Sequence, residues 1–61
     1  MKTYTLNVKR LEYPYTDHER WGIIRATQYM NHHRAWVEVV FKSHAHVTWF
    51  RVANEDNIVE W

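Results

Sequence analysis

Three histidines, His18, His44 and His46, are the side chains of this chain that could most readily hold a metal ion. His44 and His46 are two residues apart, so on a strand they would project to the same side. If the first strand runs up, the alternating chain direction returns His18 to the end of the sheet that carries the other two. Three imidazole nitrogens with an open fourth position form the arrangement of catalytic zinc. The sequence thus raises zinc as a cofactor. The interpretation we prefer places His44 and His46 in a polar turn and His18 in the first turn of a helix, with no metal bound.

The remaining histidines, His32 and His33, cannot join that group. About ten strand residues at about 3.3 Å each would hold the pair roughly 30 Å from His44 and His46. We expect the pair at a helix C-terminus, where the helix dipole favours imidazole without any further role.

Other catalytic constellations are missing from the 61 residues. Because the chain has no cysteine, it cannot form disulfides, thiolate metal sites or a cysteine nucleophile. No Ser-His-Asp arrangement, glycine-rich phosphate loop or spaced carboxylate pair is present. We expect a protein without catalytic activity. A toxin-like nuclease built from His, Arg and Tyr is the enzyme alternative, because such a site leaves little trace in one sequence.

The first half of the chain predicts one strand followed by one helix. In residues 3–13 the apolar side chains of Tyr4, Leu6 and Val8 alternate with polar ones, which is typical of a half-buried strand. Residues 17–30 are ambiguous. A capping box of Thr16 and Glu19 favours a helix, whereas Gly22 would cost about 1 kcal/mol inside one. We predict the helix. A strand is the alternative, because β-friendly residues also alternate there: Trp21, Ile23, Thr27 and Tyr29.

The second half predicts a hairpin of two strands, residues 34–43 and 46–54. Val37, Val39 and Phe41 would face the core from the first strand, and Thr48, Phe50 and Val52 from the second. The expected register pairs Val39 with Phe50 and Val37 with Val52. The predicted class is therefore α+β in a single domain, residues 1–61, in the order β-α-β-β. The segment "IVEW" would add a short C-terminal strand or a docked tail, and an all-β meander is the alternative fold.

The opposite face of that hairpin has no structural explanation in so short a chain. One helix can cover only one side of the sheet, yet the other side would still present large apolar and cationic residues: Trp36, Val40, Lys42, Val47, Trp49 and Arg51. Exposed apolar surface usually marks an interaction site, and Trp and Arg are enriched at binding hot spots. We therefore predict that this face docks onto a protein partner. A homodimer packed sheet to sheet, or a tail that covers the face with Trp61, would also bury it.

Nucleic acid is the second candidate partner for the same face. Aromatic side chains on an open sheet can stack bases while cations neutralise phosphates, and the cations available are Lys9, Arg25, Arg34, Lys42 and Arg51. Against this, the net charge is only +1 and Glu38 would lie in the middle of the face.

The overall composition predicts a small cytoplasmic regulatory protein. Residues 1–10 lack the apolar core of a secretory signal, and no apolar run approaches the roughly 20 residues of a membrane span. Short single-domain chains without cysteine that act by binding are common among bacteriophage accessory proteins and small bacterial regulators. We expect a protein of this type, such as a phage-type accessory or inhibitor protein.

Overall fold

The structure is a computed structural model that describes residues 4–59, and its elements follow in the order β-α-β-β-α. They are β1 (Tyr4–Val8), α1 (His18–Trp21), β2 (Ile23–Met30), β3 (Ala35–Phe41) and α2 (His44–Ala53), with a 3₁₀ turn at Glu55–Asn57. The three strands form one antiparallel sheet in the order β1-β3-β2. The predicted α+β class is confirmed.

The strands β1 and β3 bury the faces that the sequence predicted. Leu6 and Val8 of β1 are buried, and so are Val37, Val39 and Phe41 of β3. All five belong to one apolar cluster under α2. Alternation thus identified the core face of both strands correctly, because a strand with one buried face repeats every two residues.

The predicted second strand of the hairpin is wrong, because residues 44–53 form the helix α2. The Ser43 side chain accepts a hydrogen bond from the His46 amide and so caps the helix N-terminus. Phe50 is buried as predicted, but it faces the core together with Val47, three residues before it, as helical spacing requires. Val52, predicted to be core, is 70% exposed. The central strand β3 pairs with β1 and β2 instead of with this segment.

The helix predicted over residues 17–30 is also wrong apart from its first turn. Asp17, rather than Thr16, is the N-cap, and its side chain accepts from the Arg20 amide. The turn ends at Gly22, whose φ of 67° lies in the left-handed region that glycine adopts without a Cβ penalty. The strand β2 then runs from Ile23 to Met30. The glycine that weakened the helix prediction is the residue that stops the helix.

Of the predicted C-terminal strand the structure describes Ile58 and Val59, which lie along the outer edge of β1. Ile58 pairs with Val8 in an antiparallel bridge. The Lys9 amide donates to the Asn57 carbonyl at 2.8 Å, and the Val59 amide donates to the Asn7 carbonyl at 3.0 Å. The predicted covering role of Trp61 lies outside the described residues.

Aromatic rings fill the space between α2 and the short helix α1. Trp21 packs edge-on to Phe50, with ring centroids 5.5 Å apart, and its indole N–H donates to the Pro14 carbonyl at 3.0 Å. Tyr15 and Phe41 contact the same Phe50 ring at 5.3 and 5.2 Å. Rings that bury on the order of 150–250 Å² each supply much of the core that a cysteine-free chain of this length needs.

Candidate functional site

The sheet has one face under α2 and one face that no helix within residues 4–59 covers, called here the open face. Directly paired residues of antiparallel strands point to the same side, so the register assigns every open-face position. These positions are Thr5 and Asn7 of β1, Trp36, Glu38 and Val40 of β3, and Arg25, Thr27 and Tyr29 of β2. Val40 is buried yet lies outside the core cluster, as expected for a residue on the side away from α2.

The most distinctive feature of the open face is a stacked pair of aromatic rings. Tyr29 and Trp36 are cross-strand partners in β2 and β3. Their ring centroids are 5.6 Å apart and their planes meet at 15°. Tyr29 is 40% exposed and Trp36 is half-buried. Neither residue packs against the core cluster, so this pair presents aromatic surface that the core does not use.

The open face carries one charge of each sign. Arg25 is exposed and Glu38 is half-buried at the centre of β3. Thr27 and Asn7, the cross-strand neighbours of Glu38, are uncharged. The strand positions of this face are therefore aromatic and polar, with one positive and one negative charge.

The predicted protein-docking surface is divided between two layers by the structure. Trp36 and Val40 lie on the open face, as predicted, and Lys42 follows directly after β3. The other three residues lie on α2, where Val47 faces the core and Trp49 and Arg51 are exposed. Arg25 lies opposite Val40, where Trp49 was expected, and Thr27 lies opposite Glu38, where Arg51 was expected. The prediction missed Thr27 and Tyr29 as residues of this face. The β-type alternation in residues 21–29 was the signal that could have found them.

Trp49 has a structural role that its predicted strand position did not suggest. It is 48% exposed, and its ring lies on Trp21 with centroids 4.4 Å apart. Trp21 is buried, and the Arg20 guanidinium lies 5.5 Å from its ring centroid. Trp49 therefore closes the rim of the core beside α1.

The three histidines of the predicted zinc site reach the same end of the sheet but do not form a metal site. Within residues 4–59 no group of three or more His, Asp or Glu side chains could hold a metal ion. The His46 ring lies against Gly22, and its Nδ1 is 2.7 Å from the Ser43 hydroxyl. The His44 ring lies 6.3 Å from that of Tyr4, and His18 is exposed at the start of α1. The predicted alternation of chain direction is wrong, because β1 and β2 are both antiparallel to β3 and so run the same way. The histidines lie at the Tyr4 end of β1 rather than at its Val8 end.

His32 and His33 lie in the turn between β2 and β3 rather than at a helix C-terminus. The Asn31 side chain accepts hydrogen bonds from the His33 and Arg34 amides, both at 2.8 Å. The Asn31 amide donates to the Arg34 carbonyl at 2.8 Å and closes the hairpin.

The cations proposed for nucleic acid are not gathered on one surface. Arg25 lies on the open face and Arg51 lies on α2, in the opposite layer. Lys9, just after β1, and Arg34, just before β3, lie at one end of the sheet, and Lys42 lies at the other end of β3.

A surface cleft of about 430 Å³ lies beside the start of the loop that follows β1. Asn57 in its wall hydrogen-bonds the Arg10 backbone through both side-chain atoms, donating to the carbonyl and accepting from the amide. Arg10 also forms an exposed ion pair with Glu12 at 3.3 Å. The polar groups of this cleft thus hold the loop to the 3₁₀ turn, so we assign no ligand to it.

None of the helices within residues 4–59 is long and apolar enough to cross a membrane. The chain matches no protein-family model, no curated protein and no solved structure.

Proposed function

We propose that this chain is a small binding protein that docks the open face of its sheet onto a protein partner. The observation that carries the proposal is the stacked Tyr29–Trp36 pair on a face left uncovered by α2. Trp and Tyr are enriched at binding hot spots, and both rings of this pair are at least partly exposed. The two rings can contribute most of the affinity, and Arg25 and Glu38 can supply polar contacts around them.

The charges of the open face favour protein over nucleic acid. A nucleic-acid site needs cations arranged to follow the phosphates, but on this face the charge of Arg25 is balanced by that of Glu38. Tyr29 and Trp36 also stack on each other, so each ring has one face already occupied. A neutral surface with aromatic rings suits a partner that offers apolar side chains and hydrogen-bond groups.

The exposed surface of α2 is a weaker candidate for the docking site. The Trp49 ring covers Trp21 and so has a role in the core, whereas the Tyr29–Trp36 pair does not pack against the core cluster. The proposal therefore retains Trp36 from the predicted site and replaces Trp49 by Tyr29.

Site-specific photocrosslinking tests the proposal and captures the partner in the same experiment. A benzophenone amino acid is placed at Tyr29 on the open face and, as a matched control, at Val52, which is 70% exposed on α2. We expect a discrete protein adduct in extract of the source cell from position 29 and none from position 52. Adducts to nucleic acid, or protein adducts from position 52 alone, would contradict the proposal.

Purified partner then allows a quantitative comparison of two tryptophans. Trp36→Ala should weaken binding by about 30-fold or more, the loss expected for a hot-spot residue. Trp49→Ala removes the same side chain from the other layer and should change affinity less than about threefold. Circular dichroism must show that both variants are folded. Equal losses in the two variants would mean that the open face is not the docking site.

A further inference from the structure

The outer edge of β2 is an unpaired strand edge within the part of the chain that the structure describes. Along an antiparallel pair, every second residue forms backbone hydrogen bonds to the neighbouring strand. In an edge strand, the residues between them point their amide and carbonyl away from the sheet. The Asn31–Arg34 bond, together with the register Tyr29↔Trp36 and Thr27↔Glu38, directs the odd-numbered residues of β2 toward β3. The even-numbered residues Ala26, Gln28 and Met30 therefore point outward.

The opposite edge of the sheet supports this assignment. Continuing the same alternation across β3 turns the odd-numbered residues of β1 outward. The Asn7 carbonyl and the Lys9 amide are indeed the groups that bond Val59 and Asn57. The segment around Ile58 thus covers the edge of β1, whereas no backbone bond within residues 4–59 reaches the outer side of Ala26, Gln28 or Met30.

The edge of β2 lacks most of the features that prevent an exposed edge strand from pairing with another chain. Proteins usually protect such an edge with Lys, Pro, a short strand or a bulge. β2 is eight residues long and contains neither Lys nor Pro, and its irregularity lies at its start, between Ile23 and Arg25. The outward half of the strand is regular, and Met30 at its end is 75% exposed.

We propose that a second copy of this chain pairs antiparallel with β2 and extends the sheet to six strands. Each hydrogen-bonded pair must join an outward residue of one copy to an outward residue of the other. Alignments that place an outward residue opposite an inward one are therefore excluded, which leaves every second register. The alignment centred on Gln28 uses all three outward residues of each copy. It pairs Gln28 with Gln28 of the second copy and Ala26 with Met30, making about six backbone hydrogen bonds.

The side chains are compatible with this register. On the side of α2, the exposed Met30 covers the small Ala26 of the second copy. The single charge of the strand, Arg25, lies about 20 Å from its equivalent, well beyond the Debye length of about 8 Å at physiological salt. α2 does not obstruct the approach, because it packs over β1 and β3.

The dimer would also enlarge the aromatic surface of the open face. In this register Tyr29 lies beside Thr27 of the second copy, and the two Tyr29 Cα atoms are about 8 Å apart. The two Tyr29–Trp36 pairs would then join into one four-ring surface. The dimer rests on the backbone edge of β2 and does not depend on the proposed protein partner.

Opposite charges at Gln28 test both the dimer and its register. Gln28→Lys and Gln28→Glu each place like charges face to face at the two-fold axis, about 5.5 Å apart between Cα atoms. Each variant alone should raise the dissociation constant of the dimer by about tenfold or more. An equimolar mixture of the two variants should form a heterodimer, because Lys and Glu then face each other. Added salt should weaken this heterodimer by screening the attraction. Sedimentation equilibrium from about 10 µM to about 1 mM covers the affinity expected of so small an interface.

Gln28→Ala is the matched control for the charge exchange. The Gln28 side chain donates to the Tyr29 and Trp36 carbonyls, and all three variants alter these bonds, but only alanine does so without adding charge. We expect Gln28→Ala to dimerise like the wild type. A wild type that remains monomeric at the highest concentration would overturn the dimer. A charged mixture that stays monomeric while the wild type dimerises would overturn the register. Neither result depends on binding of a partner by Trp36.

Discussion

Replacing Gly22 by alanine should remove a large fraction of this protein's stability, and most of the loss should arise from contact with one side chain of α2, His46. A Cβ built on Gly22 would lie 2.3 Å from Cδ2 and 2.6 Å from Cγ of His46. The imidazole cannot move away freely, because its Nδ1 is held 2.7 Å from the Ser43 hydroxyl at the start of α2. The backbone at Gly22 is also left-handed, with φ of 67°.

Three contributions set the size of the effect. A left-handed alanine costs about 1–2 kcal/mol. Overpacking costs about 1–3 kcal/mol, and loss of the Ser43–His46 hydrogen bond about 0.5–1.5 kcal/mol. Gly22→Ala should therefore lower the free energy of unfolding by about 2.5–6.5 kcal/mol. A chain of this length has about 3–9 kcal/mol in total at typical stability per residue, so the variant should lose a large fraction of its stability.

A double-mutant cycle separates the steric contribution from the backbone contribution. In a His46→Ala background the ring is gone, so Gly22→Ala should cost only the left-handed penalty of about 1–2 kcal/mol. Urea unfolding followed by tryptophan fluorescence measures all four variants, with constant m-values as the check on two-state behaviour. If Gly22→Ala costs the same with and without His46, the packing of the α2 N-terminus on Gly22 is not as described.

Further predictions concern α2, and the first two are measured by the same urea unfolding. Phe50→Ala should lower the free energy of unfolding by about 3–5 kcal/mol, because the ring is fully buried. Val52→Ala should change it by less than about 0.5 kcal/mol. Equal effects of the two substitutions would favour the strand interpretation of this segment. Ser43→Ala should cost about 0.5–2 kcal/mol through loss of the N-cap, and a neutral result would argue against that helix start. Trp49→Ala should remove the coupled-tryptophan signal in circular dichroism while the fold persists, and an unchanged spectrum would contradict the 4.4 Å contact with Trp21.

The candidate site was only partly predictable. Counting layers showed that one sheet face would lack a covering helix, and alternation in β3 put Trp36 and Val40 on it. The residues beside them were misassigned, because the sheet neighbour of β3 on that side is β2 rather than residues 46–54. Trp36 therefore stacks on Tyr29, and Trp49 stacks on Trp21 in the other layer.

The sequence by itself determined the α+β class and the core faces of β1 and β3, because strict alternation of apolar residues is compatible with only one half-buried conformation. It did not determine which of two segments would be the helix. Residues 44–53 carry both a two-residue spacing, Phe50 with Val52, and a three-residue spacing, Val47 with Phe50. Tertiary structure decided between them: Gly22 ends α1 after one turn, so β2 can pair with β3. Among the helices within residues 4–59, the one capped by Ser43 is then long enough to cover the apolar face of the sheet.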